Sequence, residues 1–345
     1  MPFMKSYAIT VVGGAGIVGR EFLKILDERD FPVGRLRLLA TKRSAGSTVE
    51  FRGSSITIEE ASSDSFTGED EVVFLSASGD ASRQYAPLAR DRGGFVIDDS
   101  SAFRMDSGVP LVIPEVNAHA LDWHRGIVSQ PNCTTTPMVM ALYPIHRVNP
   151  LRRIIVSTYQ AVAGAGSAAV EGLRAETTAA LVGRHEPSGT QKREIAFNAV
   201  PQVDVFTEDA STKEEAKMAN ETRKILDAPD LAVSATCVRV PTFFGHAMSV
   251  WAEFEHPVDP DEAREAIMNM PGVRVVDEPG AERYPTPLDA AGNDDVLVGR
   301  IRADSSRAGA ITLWAVTDSI RKGAATNVVQ IIEEADKRGL VGPSA

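Results

Sequence analysis

Cysteine is nearly absent from this sequence, with two residues, Cys133 and Cys237, in 345. They stand more than a hundred positions apart. That scarcity leaves no disulfide framework and no cysteine-rich zinc cluster to hold the chain together, and free thiols are expected. Excess positive charge is missing as well. The 36 lysines and arginines are outnumbered by 47 aspartates and glutamates, for a net charge of −11. Nucleic acid and anionic membrane both demand basic surface, so neither is expected as a partner. No apolar run is long enough to span a bilayer. The opening segment, MPFMKSYAITVVGG, does not carry a charged region, an apolar core and a cleavage site in the order of a secretory leader, and a cytoplasmic protein is expected. No internal repeat, low-complexity tract or metal-ligand spacing is visible.

What remains is ordinary globular material, 43% hydrophobic and 24% charged, in a chain long enough for two domains. Over the first 130 residues, short apolar runs alternate with helical stretches. YAITVV (7–12), RLRLLA (35–40), EVVFLSA (71–77), GGFVIDDS (93–100) and GIVSQ (126–130) read as strands. REFLKILDE (20–28) has helical spacing, with Phe22, Leu23, Ile25 and Leu26 on one side. This pattern predicts parallel βαβ units. After residue 150 the runs lengthen, through 152–162, 231–240, 247–255, 294–304 and 309–319. In AMSVWAEFE, Met248, Val250, Ala252 and Phe254 alternate with Ser249, Trp251, Glu253 and Glu255, which predicts a mixed or antiparallel sheet with unlike faces. ADSSRAGA (303–310) reads as a hairpin turn, and 320–340 as one amphipathic helix returning to cover the first sheet.

Two stretches carry chemistry. VVGGAGIVGREFLKIL spaces Gly13, Gly16 and Gly19 as G-x-x-G-x-x-G between a strand and a helix. Glycine there lets backbone N–H groups approach a pyrophosphate resting on the helix N-terminus. The second strand runs into ATKRSAG, where an NAD site would place an acid and this chain has Lys42, Arg43 and Ser44. Cations and a hydroxyl suit a 2′-phosphate, so NADP is favoured over NAD. In SQPNCTTTPM, Cys133 precedes a helical run carrying Met138, Leu142 and Ile145. A thiol in the first turn of a helix has its thiolate favoured by exposed N–H dipoles, whereas Cys237, inside the apolar run LAVSATCVRV, reads as structural. Of six histidines, His119 and His124 fall in a polar loop and His146 ends the helix that Cys133 begins. His246, in a Gly-His turn seven residues after Arg239, is the best base candidate against an ordinary turn histidine.

These residues and GGAGIVG, KRSAG, IDDSSAFRMD, VIPEVN, QPNCTTTPM, STYQAVAGAG, IAFNAVPQVD, TKEEAKMANETRKIL, ATCVRVPTFFGH and RKGAATNVVQI, in this order along nearly the whole chain, resemble the aspartate-β-semialdehyde dehydrogenase family. The resemblance implies an α/β fold with a Rossmann-type NADP-binding domain (1–132 and 319–345) and an α+β catalytic and dimerisation domain with a mixed sheet (133–318). It implies a homodimer and the NADPH-dependent reductive dephosphorylation of L-aspartyl-4-phosphate to L-aspartate 4-semialdehyde. That step leads to lysine through diaminopimelate, and to threonine, methionine and isoleucine. By resemblance, Cys133 is the nucleophile that carries an acyl-thioester and His246 the acid/base. Gln160 and Arg239 hold the amino-acid end, with Glu214 as substrate-side acid and Asn132 beside the nucleophile. Arg104 and Lys217 hold the phosphate. Cofactor contacts fall on Gly13, Ala15, Gly16, Ile17, Val18, Arg43, Ser44, Ala163, Gly164 and Ser319, and no metal is implied. Three of these depart from the family pattern: Ala15 replaces threonine in the first loop, Ala163 precedes Gly164 where serine is frequent, and Ser319 replaces asparagine. All three lie on the cofactor side. A related acyl-phosphate reductase, of N-acetylglutamyl-phosphate or glyceraldehyde-phosphate type, and a non-catalytic dinucleotide-binding relative remain as alternatives. STYQAVAGAG and KEEAKM favour the aspartyl case.

Overall fold

The computed structural model describes residues 6–68, 72–185, 187–188 and 192–341. The chain divides into two units, Met1–Pro131 with Ala324–Ala345, and Asn132–Gly323.

The first unit is built on β1 (Tyr7–Val12), α1 (Ile17–Glu28), β2 (Val33–Ala40), β3 (Thr48–Phe51), β4 (Ser54–Glu60), β5 (Val72–Leu75), α2 (Gly79–Asp91), β6 (Phe95–Asp98), the short α3 (Pro114–Asn117) and β7 (Ile127–Ser129). The sheet order is β3-β4-β2-β1-β5-β6-β7. All its pairings are parallel except the β3–β4 hairpin. β5 is apolar throughout, β6 is apolar up to Asp98, and both are fully buried because helices cover both faces. Strand order reverses between β1 and β5, and a crevice at the C-terminal ends of the strands is where such sheets bind ligands. Gly13 marks that point. Its φ is +93°, and a Cβ there would lie 2.0 Å from the carbonyl oxygen of Ser76, the residue that follows β5. Only glycine lets the two loops cross.

In the second unit, α4 (Thr135–His146) leads to β8 (Leu151–Gln160), α5 (Ser167–Ala180), α6 (Lys213–Ile225), β9 (Ala232–Arg239), β10 (His246–Phe254), α7 (Pro260–Met268), β11 (Val273–Val275), the short α8 (Pro287–Ala290), β12 (Val296–Ala303) and β13 (Ile311–Thr317). The six strands run β11-β12-β13-β10-β8-β9. Antiparallel pairs in the middle give way to parallel pairs at both edges. Along β10, Met248, Val250, Ala252 and Phe254 are buried while Ser249, Trp251 and Glu253 are half-buried. The period of two thus separates a face packed under α4, α6 and α7 from one lined by Ile155, Tyr159, Trp251 and Trp314. The rings of Tyr159 and Trp314 pair at 5.4 Å on that open face. The turn between β12 and β13 is an Asx turn, in which Asp304 Oδ1 accepts the N–H groups of Ser306 and Arg307.

The C-terminal segment differs from the single helix read from sequence. Residues Arg321–Ala325 form a π-turn, and the α-helix α9 is only Thr326–Lys337. The wider turn follows from two constraints: the Gly323 N–H donates five residues back to the Asp318 carbonyl (3.0 Å), and Gly323 lies flat against Cys133. Such turns recur at functional sites. Val328, Val329, Ile331 and Ile332 of α9 join Tyr7, Ile9, Val11 and Phe22 in the first unit's core.

Gly13 and Gly46 both have positive φ, but nothing lies within 4 Å of a Cβ at Gly46. Gly46→Ala is expected to cost about 1 kcal/mol, the penalty of the backbone conformation alone. Gly13→Ala adds a backbone collision and is expected to cost at least about 3 kcal/mol. Urea unfolding of both variants measures the difference, and equal losses would refute the crossing-loop account.

Candidate active site

The turn that holds Cys133 is defined by Asn132. The Asn132 carbonyl accepts the Thr136 N–H (3.1 Å), so hydrogen bonding of the helical type begins ahead of α4. Asn132 Oδ1 accepts both the N–H (2.9 Å) and the hydroxyl (2.6 Å) of Thr134, as a helix-capping asparagine does. Cys133 therefore occupies the first hydrogen-bonded turn although the regular helix starts at Thr135. It is half-buried and not disulfide-bonded. On its other side, a Cβ at Gly323 would lie 3.0 Å from Cys133 Cβ and 3.4 Å from its Cα.

Three neighbouring strands deliver the other polar groups. Register places Gln160, the last residue of β8, opposite Arg239, the last of β9. β10, which pairs with the other edge of β8, begins at His246. The residue after Gln160 locks two of them. Ala161 donates its N–H to His246 Nδ1 (3.0 Å) and accepts from Arg239 Nη1 at its carbonyl (2.6 Å). Burial pushes the His246 pKa down to about 3, with the positive charge of Arg239 adding to the effect. The ring is therefore neutral. Because Nδ1 accepts a backbone N–H, the ring proton resides on Nε2, which makes His246 a hydrogen-bond donor at that atom. Burial also lowers the Arg239 pKa, against the opposing influence of Glu214 and Cys133. Gly164 closes this corner, since a Cβ there would sit 3.0 Å from His246 Nε2 and 3.8 Å from Arg239 Nη1. Gln160 Oε1, Arg239 Nε, His246 Nε2 and Ser319 Oγ are among the buried side-chain atoms without a partner. Buried polar atoms are normally satisfied, so this concentration marks a place prepared for a ligand.

Helix α6 supplies acids from beneath. It opens with a capping box in which Thr212 and Glu215 bond reciprocally. Glu214, Lys217 and Glu221 follow at three- and four-residue steps and share one face. Glu214 accepts from Asn132 Nδ2 at both oxygens (3.1 Å each), from Gln160 Nε2 at Oε1 (2.9 Å) and from Lys217 Nζ at Oε2 (3.1 Å). Burial opposes its charge, but Lys217, Gln160 and Asn132 outweigh burial and its pKa is lowered. Lys217 also donates to Asp204 Oδ2 (2.7 Å). Glu221, 1% exposed, accepts the Asn132 N–H (2.7 Å). Cys237 lies apart from this chemistry. Its sulfur contacts Met218 Sδ at 3.7 Å, and burial pushes its thiol up to about 12.

In the first unit, the turn Gly13–Gly16 feeds α1, whose N-terminus has no side-chain cap and no acid in its first turn. Its N–H groups, from Ile17 and Val18 onward, stand open to a pyrophosphate. A Cβ at Gly19 would strike the Gly13 carbonyl oxygen at 2.5 Å, so that glycine packs the helix onto the turn. Lys42, Arg43 and Ser44 form a turn after β2, with the Ser44 N–H donating to the Thr41 carbonyl (2.9 Å). β2 is parallel to β1, so both turns lie at the same end of the sheet. These residues fit a phosphorylated dinucleotide. Arg104 is buried and donates from Nη2 to the Asp99 carbonyl (2.7 Å).

Within the second unit the fold thus gathers Asn132, Cys133, Gln160, Gly164, Glu214, Lys217, Arg239 and His246. Gly13, Ala15, Gly16, Ile17, Val18, Arg43, Ser44 and Arg104 belong to the first unit. Ala163, whose N–H donates to the Phe243 carbonyl (3.0 Å), and Ser319 are buried in the second. Sequence reasoning missed Glu221, Ala161, Gly323 and Asp204. Glu221 had a signal in its heptad distance from Glu214. Ala161 had none, because it acts through its backbone. Among the described residues, no group of three or more His, Cys, Asp or Glu side chains could hold a metal ion, and no helix is long and apolar enough to cross a membrane.

Comparison with known proteins agrees with this layout. Residues 8–124 match the model for "Semialdehyde dehydrogenase, NAD binding domain", and residues 142–322 the model for "Semialdehyde dehydrogenase, dimerisation domain". The aspartate-semialdehyde dehydrogenase of Aquifex aeolicus is 48% identical, with 97% of this chain and 99% of that protein covered. That of Bacillus subtilis is 49% identical over 96% and 98%. The crystal structure of aspartate semialdehyde dehydrogenase II from Vibrio cholerae complexed with ASA superposes with a TM-score of 0.93 at 40% identity, covering 96% of this chain and 99% of that one. With both domain models matched and near-complete coverage at almost half identity, the chain belongs to the aspartate-semialdehyde dehydrogenase family.

Proposed function

We propose that this chain is an NADPH-dependent aspartate-semialdehyde dehydrogenase that converts L-aspartyl-4-phosphate to L-aspartate 4-semialdehyde and phosphate. It would thereby serve lysine, threonine, methionine and isoleucine biosynthesis. The observation that carries the reading is the placement of Cys133 in a capped helical turn, in one cluster with a neutral His246 and a buried Arg239. The Cys133 thiolate attacks the acyl carbon, the bond from that carbon to the bridging oxygen breaks, and phosphate leaves with the electron pair and takes up one proton from solvent. A thioester on Cys133 remains. Bound NADPH supplies the hydride that reduces this thioester. The resulting oxyanion collapses, the C–S bond breaks, and the aldehyde leaves as the thiolate is restored. Negative charge appears twice on the same oxygen, and His246 Nε2–H is the donor for it. A neutral, pre-oriented imidazole performs that task as a hydrogen-bond donor.

Arg239 has donors to spare for the substrate carboxylate, since Nη1 alone is engaged and Nε is unpartnered. Gln160 offers Oε1 beside it. Lys217 and Arg104 are assigned to the phosphate, Arg104 on family resemblance alone. Glu214, which holds Asn132, Gln160 and Lys217, is assigned by the resemblance to the substrate side as its acid. Gly13, Ala15, Gly16, Ile17 and Val18 are assigned to the pyrophosphate and Arg43 and Ser44 to the 2′-phosphate. Ala163, Gly164 and Ser319 complete the cofactor contacts. Residues 1–132 and 319–345 are read as the NADP-binding domain, and 133–318 as the catalytic and dimerisation domain. The open face of the second sheet, with Ile155 and Tyr159 exposed and Trp251 and Trp314 half-buried, supports a homodimer, and a cytoplasmic enzyme is proposed.

Cys133→Ser is expected to lower phosphate-dependent reduction of NADP by L-aspartate 4-semialdehyde at least about 1000-fold, because the hydroxyl is a far weaker nucleophile at neutral pH. Cys237→Ser is expected to leave turnover within about threefold. Unchanged turnover in the Cys133 variant would overturn the assignment.

His246 gives a second expectation. Its folded pKa of about 3 lies below the ordinary value of 6.5. The fold therefore favours the uncharged ring. That contribution is complete above about pH 6.5 and is lost as pH falls toward 3, by up to about 1.4 kcal/mol per unit. Between pH 7.5 and 5, unfolding free energies should show wild type losing about 2 kcal/mol more than His246→Gln. A pH-independent difference would contradict the buried neutral ring.

A further inference from the structure

We infer that Asp99 is a positioning residue for the phosphate end of the site: it anchors Arg104 and, when ionised, offsets the guanidinium charge that phosphate must meet. The inference rests on the functional reading above, in which Arg104 meets the phosphate, and deepens it. Asp98 ends β6 and Asp99 follows it, at the C-terminal edge of the first unit's sheet, where such sheets bind ligands.

Neighbouring residues of a strand point to opposite faces, and the two acids diverge. Asp98 accepts from the Ser82 hydroxyl of α2 (2.5 Å), and from the N–H (3.2 Å) and hydroxyl (2.8 Å) of Ser100, so it ties the turn to the helix. Asp99 is placed differently. Its N–H donates to the Leu75 carbonyl (3.0 Å), at the end of β5. Its carboxylate accepts from the side chains of Gln130 and Ser76, the latter being the residue whose carbonyl crosses Gly13. Asn327 Nδ2 of α9 donates to Gln130 Oε1 (2.8 Å), which leaves Gln130 Nε2 as the donor to Asp99. The turn after Asp99 folds back, and Arg104 Nη2 donates to the Asp99 carbonyl (2.7 Å). The guanidinium is thereby anchored on the residue that carries the carboxylate. Arg104 is 6% exposed, so little water screens the two charges from each other. Among the described residues, the charged groups acting on Asp99 are Arg104 and Asp98, while Ser76 after β5, Gln130 after β7 and Asn327 of α9 are neutral. Burial, with the Asp98 charge beside it, pushes the Asp99 pKa up to about 7 against the pull of Arg104 and of the two hydrogen bonds. Asp99 is thus largely neutral at about pH 6 and largely ionised at about pH 8. Ionised, it weakens the hold of Arg104 on phosphate, and bound phosphate raises the Asp99 pKa by the same coupling.

Asp99→Asn removes the charge and keeps the shape. With L-aspartate 4-semialdehyde and NADP, the KM for inorganic phosphate is measured in both enzymes, and the titration of phosphate itself cancels in their ratio. The wild-type KM should match the variant's at about pH 6 and exceed it at least about fivefold at about pH 8.5, with the KM for the aldehyde within about twofold. In an Arg104→Gln background the same substitution should change the phosphate KM less than about twofold. Asp99→Ser also removes the charge and serves if the asparagine variant does not fold. A wild-type-to-variant ratio that does not vary with pH, or one that persists in the Arg104→Gln background, would overturn the assignment while leaving the reaction intact. If wild type failed to reduce NADP with phosphate and the aldehyde at all, the functional reading itself would fall and the role of Asp99 with it.

Discussion

Every hydrogen-bonding group of Asn132 is engaged. Its N–H goes to Glu221, its carbonyl takes Thr136, its Oδ1 takes Thr134, and its Nδ2 spans both oxygens of Glu214. The residue next to the thiol is thus tied to the helix it caps and to two buried acids on another helix. Breaking one of these bonds would leave a buried carboxylate or amide unsatisfied, which costs more than the bond itself contributes. The position of Cys133 is therefore set by polar contacts whose alternatives are all unfavourable, and Gly323 blocks retreat on the other side.

The groups around the thiol are held by the same logic. Three strand ends carry Gln160, Arg239 and His246, and sheet register alone brings them side by side. The backbone N–H and carbonyl of Ala161 then set the tilt of the imidazole and of the guanidinium. It also fixes which ring nitrogen carries the proton. A histidine whose Nδ1 accepts a backbone N–H is suited to donate to a developing oxyanion, and burial keeps it neutral across the working pH range. Rigid strands outperform loops for such placement, because a small error in donor position costs much of its effect.

How much of this was legible in the sequence follows from which forces write patterns. The alternation of buried and half-buried residues in β10 was visible, because burial imposes a period of two. The glycine turn after β1 was visible, because few residues tolerate both positive φ and a crossing backbone. The β3–β4 hairpin at the sheet edge was not, because most of its residues are exposed and polar and carry little hydrophobic signal. The π-turn was also missed. Helical periodicity runs through it, and what widens it is a contact with Cys133, nearly two hundred residues away. Within the site, the thiol, the imidazole and the cations announced themselves by residue type, and the ordered family motifs tied them together. Ala161 acts through its peptide group and Glu221 through a partner 89 residues distant, and neither role has a local signature.

If the nucleophile depends on Asn132 as argued, the most direct measurement is the steady-state kinetics of Asn132→Ala with L-aspartate 4-semialdehyde, phosphate and NADP, alongside the rate at which iodoacetamide alkylates Cys133. The account predicts that kcat falls at least about 100-fold, with KM for the aldehyde within about threefold and a matching loss of thiol reactivity in a protein that still folds. A folded Asn132→Ala enzyme with wild-type kcat and wild-type alkylation would contradict it.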